Sequence, residues 1–203
     1  MNPTYAVIIV AVSNDLPQDG PAAWGSPNDA LQHLNVMATW DIIKTLGLQT
    51  VLVSDDLRAQ RSMAPEPALS IATPIIRAID RSQANLATSL ITGIEACPQA
   101  DGWLILPAHV AAPNVNTVKR VCDELSQHPI AYPVSNGNRG TPIGFGKELY
   151  SELMHLRSAH DLRRLMSRYP SKEILVDVPM TPVDDWLMVT CSPRHQRSPF
   201  TAH

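Results

Sequence analysis

The sequence predicts an α/β fold built on a doubly wound, mostly parallel sheet. Three observations carry that prediction. Short apolar, β-branched runs recur along the chain: Tyr5 to Val12, Thr50 to Ser54 and Gly102 to Pro107. Segments with helical apolar spacing lie between them, about 10–18 residues each, too long for strands. Strand–helix alternation of this kind feeds a parallel sheet covered on both faces.

Each element has its own signature. Tyr5 to Val12 (YAVIIVAV) is apolar throughout and too short for a buried helix. Ser13 to Pro27 is turn-rich, with Pro17, Gly20, Pro21 and Gly25 before the closing Pro27. Asp29 to Leu46 is predicted helical, with Leu31, Leu34, Met37, Ile42 and Leu46 near one face. Asn28 or Asp29 would cap it, and Gly47 would stop it. Thr50 to Ser54 is the second strand. Residues 55–68 are polar and form a connection, and Leu69 to Thr73 is a short strand. Leu86 to Ala96 is a helix ending at Pro98, where Thr88 and Ser89 could hydrogen-bond a base or cap the helix. Gly102 to Pro107 (GWLILP) is the next strand. Asn114 to Gln127 is amphipathic through Val118, Val121, Cys122 and Leu125. Ile130 to Val134 is a strand. Glu148 to His155 and Asp161 to Tyr169 are helices. Glu173 to Val178 and Trp186 to Thr190 close the pattern as strands. Residues 1–193 are expected to form one domain, and 194–203 a polar tail.

Composition bounds the function. A chain of 203 residues with 44% hydrophobic side chains can bury a core without disulfide or metal staples. Charged residues make up 17%, below the roughly 25% of an average domain. They are unevenly placed. Residues 1–118 hold five basic and ten acidic side chains, residues 119–203 eleven and nine, and the first cation is Lys44. No basic patch interleaved with aromatics supports nucleic-acid binding. The run Ala6 to Val12 is too short to span a bilayer and lacks the positive flank of a secretory signal. Cys97, Cys122 and Cys191 are too scattered for a zinc site or a disulfide framework. A cytoplasmic protein is the expectation.

In such a sheet the ligand crevice lies beyond the carboxyl ends of the strands. That selects three loops: Ser13–Pro27, Pro107–Pro113 and Ser135–Gly146. Here the chain resembles a known family. Arg139-Gly140-Thr141-Pro142-Ile143-Gly144-Phe145-Gly146, followed by a helix from Lys147, is similar to a segment written R-G-H-P-V-x-F. Leu156 to Pro170 is similar to L-S-G-D-x-G-A-R-x-L-L-x-x-x-P, with Arg163 on its Arg. Asn85 to Gly93 resembles G-M-S-S-S-L-R-A-G, and Leu104 to Pro107 leads into the loop written G-D-x-P. These are motifs of the MobA-like nucleotidyltransferases, nearest to the molybdenum-cofactor cytidylyltransferase branch. The resemblance runs from about Tyr5 to Pro193. It implies a Rossmann-like fold of the nucleotide-diphospho-sugar transferase type. It also implies transfer of a nucleotide from CTP or GTP to a phosphorylated pterin, with Mg2+. That chemistry needs cations at the phosphates and a carboxylate on the metal.

The departures from the family pattern fall on those groups. The family opens with L-A-A-G-x-S-x-R-M-G-x-x-K, whose amides, Arg and Lys hold the triphosphate. Here the turn glycine is Val12 or Ser13, the Arg has no counterpart, and the Lys falls on Asn28. Asp15 and Asp19 stand in the loop and would repel phosphate. The metal-binding Asp of G-D-x-P is His109, and imidazole suits zinc, copper or nickel better than magnesium. The late D-x-D-T-P is weakly matched by Val189-Thr190-Cys191-Ser192-Pro193. The Arg after S-S-S-L falls on Ile91, and the His of R-G-H-P on Thr141.

By resemblance the pocket is lined by Ser13, Asn28, His109, Arg139, Gly140, Thr141, Gly144 and Arg163, with no residue assigned to catalysis or to a metal. Each has a plain structural alternative: a surface loop for Ser13–Pro27, a hydrogen-bonded loop residue for His109, a sheet-edge turn for Arg139–Gly146, a solvated helix face for Arg163. The functional expectation is a catalytically degenerate member, a binding or accessory protein for a small phosphorylated ligand or a partner protein. The alternative is an active nucleotidyltransferase with an altered metal site using His109. A third reading is a structural subunit that packs on an oxidoreductase during its maturation.

Overall fold

The computed structural model describes residues 4–11, 27–55, 74–80, 82–177 and 180, with side chains in the first helix described from Leu34 onward. Among the described residues eight strands form one sheet: β1 (Tyr5–Ala11), β2 (Gln49–Ser54), β3 (Ile75–Ala78), β4 (Gly102–Pro107), β5 (Ile130–Ser135), β6 (Asn138–Arg139), β7 (Ile143–Gly146) and β8 (Ser171–Leu175). The helices are α1 (Pro27–Thr45), α2 (Leu86–Glu95), α3 (Val115–Leu125), α4 (Tyr150–Met154) and α5 (Ala159–Arg168), with a 3-10 turn at Lys147–Leu149 before α4.

The strand order is β3-β2-β1-β4-β7-β5, with β6 extending the β5 hairpin and β8 on the far side of β5. β1 to β4 are mutually parallel where they pair. β7 is antiparallel to both β4 and β5, so β5 runs parallel to β4, and β8 runs parallel to β5. The sheet is therefore mixed, with a parallel body and two reversed strands, β6 and β7.

β1 and β4 read as continuous apolar runs because both of their faces are covered. Alternate side chains enter two cores. Ile8, Val10, Val53, Ile105 and Tyr132 join α2, α4 and α5 on one face. Val7, Ile9, Leu52, Leu104 and Leu106 join α1 and α3 on the other. The helices start where side chains cap them. Asn85 Oδ1 accepts from Thr88 N at 3.0 Å, so Asn85 caps α2 rather than Thr88 or Ser89. Asn114 Oδ1 accepts from Asn116 N at 2.8 Å and starts α3. Ser158 starts α5, and its Oγ accepts from Asp161 N at 3.3 Å. The Asp161 carboxylate accepts from Ser158 Oγ and Arg157 N, each at 3.1 Å. This reciprocal pair is a capping box, and it moves the helix start ahead of the predicted Asp161.

Two stretches differ from expectation. Ser135–Gly146 is not one crevice loop. It is a tight hairpin through Asn136 (φ 52°) and Gly137 (φ 78°), followed by a buried core strand, β7. The positive φ at both turn residues suits the twist of a two-residue hairpin. The third strand lies at Ile75–Ala78, where none is expected. The expected strands at Leu69–Thr73 and Trp186–Thr190 fall outside the described residues. The strand predicted at Glu173–Val178 starts earlier, at Ser171, and ends at Leu175.

Candidate functional site

The carboxyl ends of β1, β2, β4 and β5 share one edge of the sheet, because these strands point the same way. The loop after β4 is pinned to that edge by its backbone. Ala108 N donates to Val10 O at 2.8 Å, and Val110 N to Pro107 O at 3.3 Å. Ala108 and Val110 are buried on either side of His109, which is exposed. Asn35 of α1 donates from Nδ2 to His109 O at 3.3 Å, tying the helix to the loop. This leaves the imidazole free to face solvent while its backbone is held. Desolvation pushes the His109 pKa below the ordinary histidine value.

The second part of the edge is the β5–β6 hairpin. Arg139 is exposed on β6, with its Cζ 5.2 Å from the centre of the Tyr132 ring, within cation–π range. Tyr132 is buried, and its hydroxyl donates to Glu173 Oε1 at 3.2 Å and lies 3.3 Å from Ser171 Oγ. β8 therefore holds the ring on which Arg139 rests. Gly140 N donates to Pro133 O at 2.8 Å, and the buried Thr141 precedes a cis Pro142.

Gly144 requires a correction. It pairs with Leu104 in mid-sheet, away from the carboxyl edge. A Cβ built there would lie 2.7 Å from Leu125 Cδ1 and 2.8 Å from Val121 Cγ1. The glycine lets α3 approach β7, so it belongs to the core rather than to a pocket wall. Arg163 is half-buried on α5, beside the buried Leu162. Asn28 lies in the first turn of α1, in the part whose side chains are not described, and Ser13 is outside the described residues, as is Val189–Pro193. Ile91 is half-buried on α2. The predicted residues that lie toward the carboxyl edge are thus His109 on the loop after β4 and Arg139, Gly140 and Thr141 beyond β5. Asn35, Tyr132 and Met180, which lies against Gly140, are further participants that no sequence signal indicates.

The Mg2+ implied by the resemblance can be tested on this donor set. From Pro107 to Pro113 the one ionisable side chain is an imidazole, where magnesium favours oxygen ligands. Among the described residues no group of three His, Cys, Asp or Glu side chains could hold a metal ion. The described edge does not fit a magnesium site. Nor is any helix of the described residues long and apolar enough to cross a membrane.

Residues 35–173 match the MobA-like NTP transferase domain, and the chain belongs to that family. The match begins within α1, after β1. The fold is similar to that of Rv0371c from Mycobacterium tuberculosis H37Rv, with a TM-score of 0.69 at 17% identity, covering 95% of this chain and 100% of that one. A second structure, Rv0371c in complex with manganese, superposes with a TM-score of 0.63 at 18% identity, covering 94% and 100%. The 4-diphosphocytidyl-2C-methyl-D-erythritol synthase of Anaerococcus prevotii superposes at 0.62 with 12% identity, covering 94% and 97%. No curated protein matches the chain significantly. The architecture is a Rossmann-like nucleotidyltransferase fold.

Proposed function

We propose that this chain is a catalytically degenerate MobA-like domain, a binding or accessory protein for a small phosphorylated ligand or a partner protein. One observation carries the reading: the loop after β4 presents His109 as its one ionisable side chain, where the resemblance calls for a metal-binding Asp. Nucleotide transfer depends on neutralising charge that develops on the phosphates, and an imidazole does not supply the oxygen ligand that magnesium favours. Arg139 is a cation near the described edge that could meet an anionic ligand, and its stack on Tyr132 restricts its orientation.

Calorimetry of the purified chain with CTP, GTP and ATP, each with Mg2+, tests this. The expected result is no pyrophosphate release with any of them. Micromolar binding accompanied by pyrophosphate release would overturn the reading. The second reading is an active nucleotidyltransferase with an altered metal site. It draws support from the manganese complex of Rv0371c, so the same titrations with Mn2+ decide it.

A further inference from the structure

α5 is fixed to the molecule along one side and carries cations along the other. Ala159, Leu162, Leu165 and Met166 are buried in the core. Arg157, His160, Arg164 and Arg168 are exposed. From His160 onward they recur at every fourth position, so they stand along one side of the helix about 6 Å apart. The capping box of Ser158 and Asp161 sets where the row begins.

The row goes against two local preferences of a helix. Arg157 stands just before the amino end, where the helix dipole disfavours positive charge. Arg164 and Arg168 are like charges four residues apart, which repel. The nearby acids are engaged elsewhere. The Asp161 carboxylate accepts from Arg157 N and Ser158 Oγ. Glu152 of α4 accepts from the Tyr169 hydroxyl at 2.6 Å, and Arg168 acts on it only as a neighbouring charge. No ion pair among the described residues reaches Arg157, Arg164 or Arg168. Local conflicts kept on a well-anchored element are expected where a surface has a function.

We infer that the outer side of α5 is a docking surface for an acidic protein segment, whose Asp or Glu side chains meet Arg157, Arg164 and Arg168. Guanidinium groups suit that partner because each can hold a carboxylate through two parallel N–H bonds. A nucleic acid suits the surface less well: the chain has a net charge of -3, and Asp161 and Glu152 flank the row. The inference rests on the partner-binding arm of the reading above and names the chemistry of that partner.

Fluorescence anisotropy of the full chain with a labelled helical peptide, glutamate at every fourth position, tests it. The wild type should bind saturably and more weakly as salt is added. Arg164→Glu and Arg157→Glu should each weaken binding about tenfold, while Lys119→Glu, the same charge change on the exposed side of α3, should stay within about twofold. Arg164→Glu also removes the repulsion from Arg168, so its urea midpoint should not fall and lost binding is not lost folding. No saturable binding, equal losses in Arg164→Glu and Lys119→Glu, or tighter binding to duplex DNA or phosphatidylserine vesicles than to the peptide overturns the inference. Peptide binding alongside pyrophosphate release from CTP keeps this surface while the degenerate reading fails. No peptide binding and no pyrophosphate release does the reverse.

Discussion

Arg139 lies over the ring of Tyr132, its Cζ 5.2 Å from the ring centre, while the Tyr132 hydroxyl is tied to Glu173 of β8. The two residues are on strands paired through Val134 and Arg139, and both side chains emerge on the face shared with α5. A hairpin cation is thereby linked to the far side of β5. An exposed arginine on a two-residue strand would otherwise sample many rotamers. Resting on a ring that is itself anchored, it has fewer orientations to lose when an anion arrives.

This linkage predicts a measurable coupling. Arg139→Ala alone should cost about 0.5–1 kcal/mol, the range for an exposed cation–π pair. Tyr132→Phe should cost about 1 kcal/mol through the lost hydroxyl bonds, keeping the ring and therefore the stack. Replacing the ring by Leu should abolish the effect of Arg139→Ala. Urea unfolding of Arg139→Ala, Tyr132→Leu and the Arg139→Ala/Tyr132→Leu pair gives the coupling directly. A coupling near zero would show that the contact contributes nothing.

Gly144 yields a prediction of opposite sign to its intrinsic propensity. Gly→Ala in an ordinary strand gains about 0.5–1 kcal/mol. Here the new methyl would meet Leu125 and Val121 of α3 at 2.7 and 2.8 Å. Overpacking of this kind costs about 1–3 kcal/mol. Gly144→Ala should lower the unfolding midpoint, and a second change, Leu125→Ala, should recover part of the loss relative to the sum of the two. Strict additivity of the pair would refute the packing account.

The same glycine explains why β7 was hidden from local rules. Ile-Gly-Phe-Gly carries turn signals, yet all four residues are buried between β4 and β5. The glycine at 144 answers to a helix pressed on the sheet, which is tertiary information. β1, β2 and β4 were legible because they are apolar on both faces, and a run such as YAVIIVA has no other stable placement. β3 is short and only half-buried, so its four residues lack that contrast. At the candidate site, His109 and Arg139 could be found by motif position. Their supports could not: Asn35 reaches His109 across 74 residues and Tyr132 reaches Glu173 across 41. Such contacts leave no local pattern.

The α5 cap has a pH signature. Hydrogen bonds from Arg157 N and then Ser158 lower the Asp161 pKa below the ordinary carboxylate value. A carboxyl with a depressed folded pKa adds stability that is fully present above its unfolded pKa. That stability is lost as pH falls through the folded value. Ser158→Ala should therefore destabilise the chain by about 1 kcal/mol near neutral pH. The deficit should narrow below the usual aspartate pKa, once the carboxylate no longer accepts those bonds. Denaturant midpoints of both proteins between neutral pH and strongly acid pH test this; a deficit independent of pH would exclude the reciprocal box.

Cys97 and Cys122 should be inert in the folded chain. Burial pushes the Cys97 thiol up to about 11 and the Cys122 thiol up to about 12. Cys97 Sγ also donates to Gly93 O at 3.3 Å, and Trp103 Nε1 donates to Cys97 O at 3.2 Å, so the residue is fastened within the core. Reaction needs the thiolate and access to it. At mildly alkaline pH, peptide mapping after alkylation should find both sites unmodified in native protein and fully modified in denaturant. Rapid native labelling of either would contradict the burial that raises its pKa.

His109 closes the argument from structure to chemistry. Desolvation lowers its pKa from the usual 6.5 and so favours the neutral ring, in which one nitrogen can accept a hydrogen bond or ligate a metal. Because the folded pKa is depressed, the unfolded chain takes up a proton first as pH falls, and the residue's effect on folding becomes unfavourable below about the unfolded value of 6.5. Its exposure keeps that effect small. A proton NMR titration of the ring should give a midpoint below that of an unstructured histidine. Asn35→Ala, by releasing the backbone of the loop from α1, should move the midpoint back toward 6.5 without touching the ring itself. A midpoint at or above 6.5 in the wild type would remove the desolvated environment. With it would go the grounds for a neutral imidazole at the carboxyl edge.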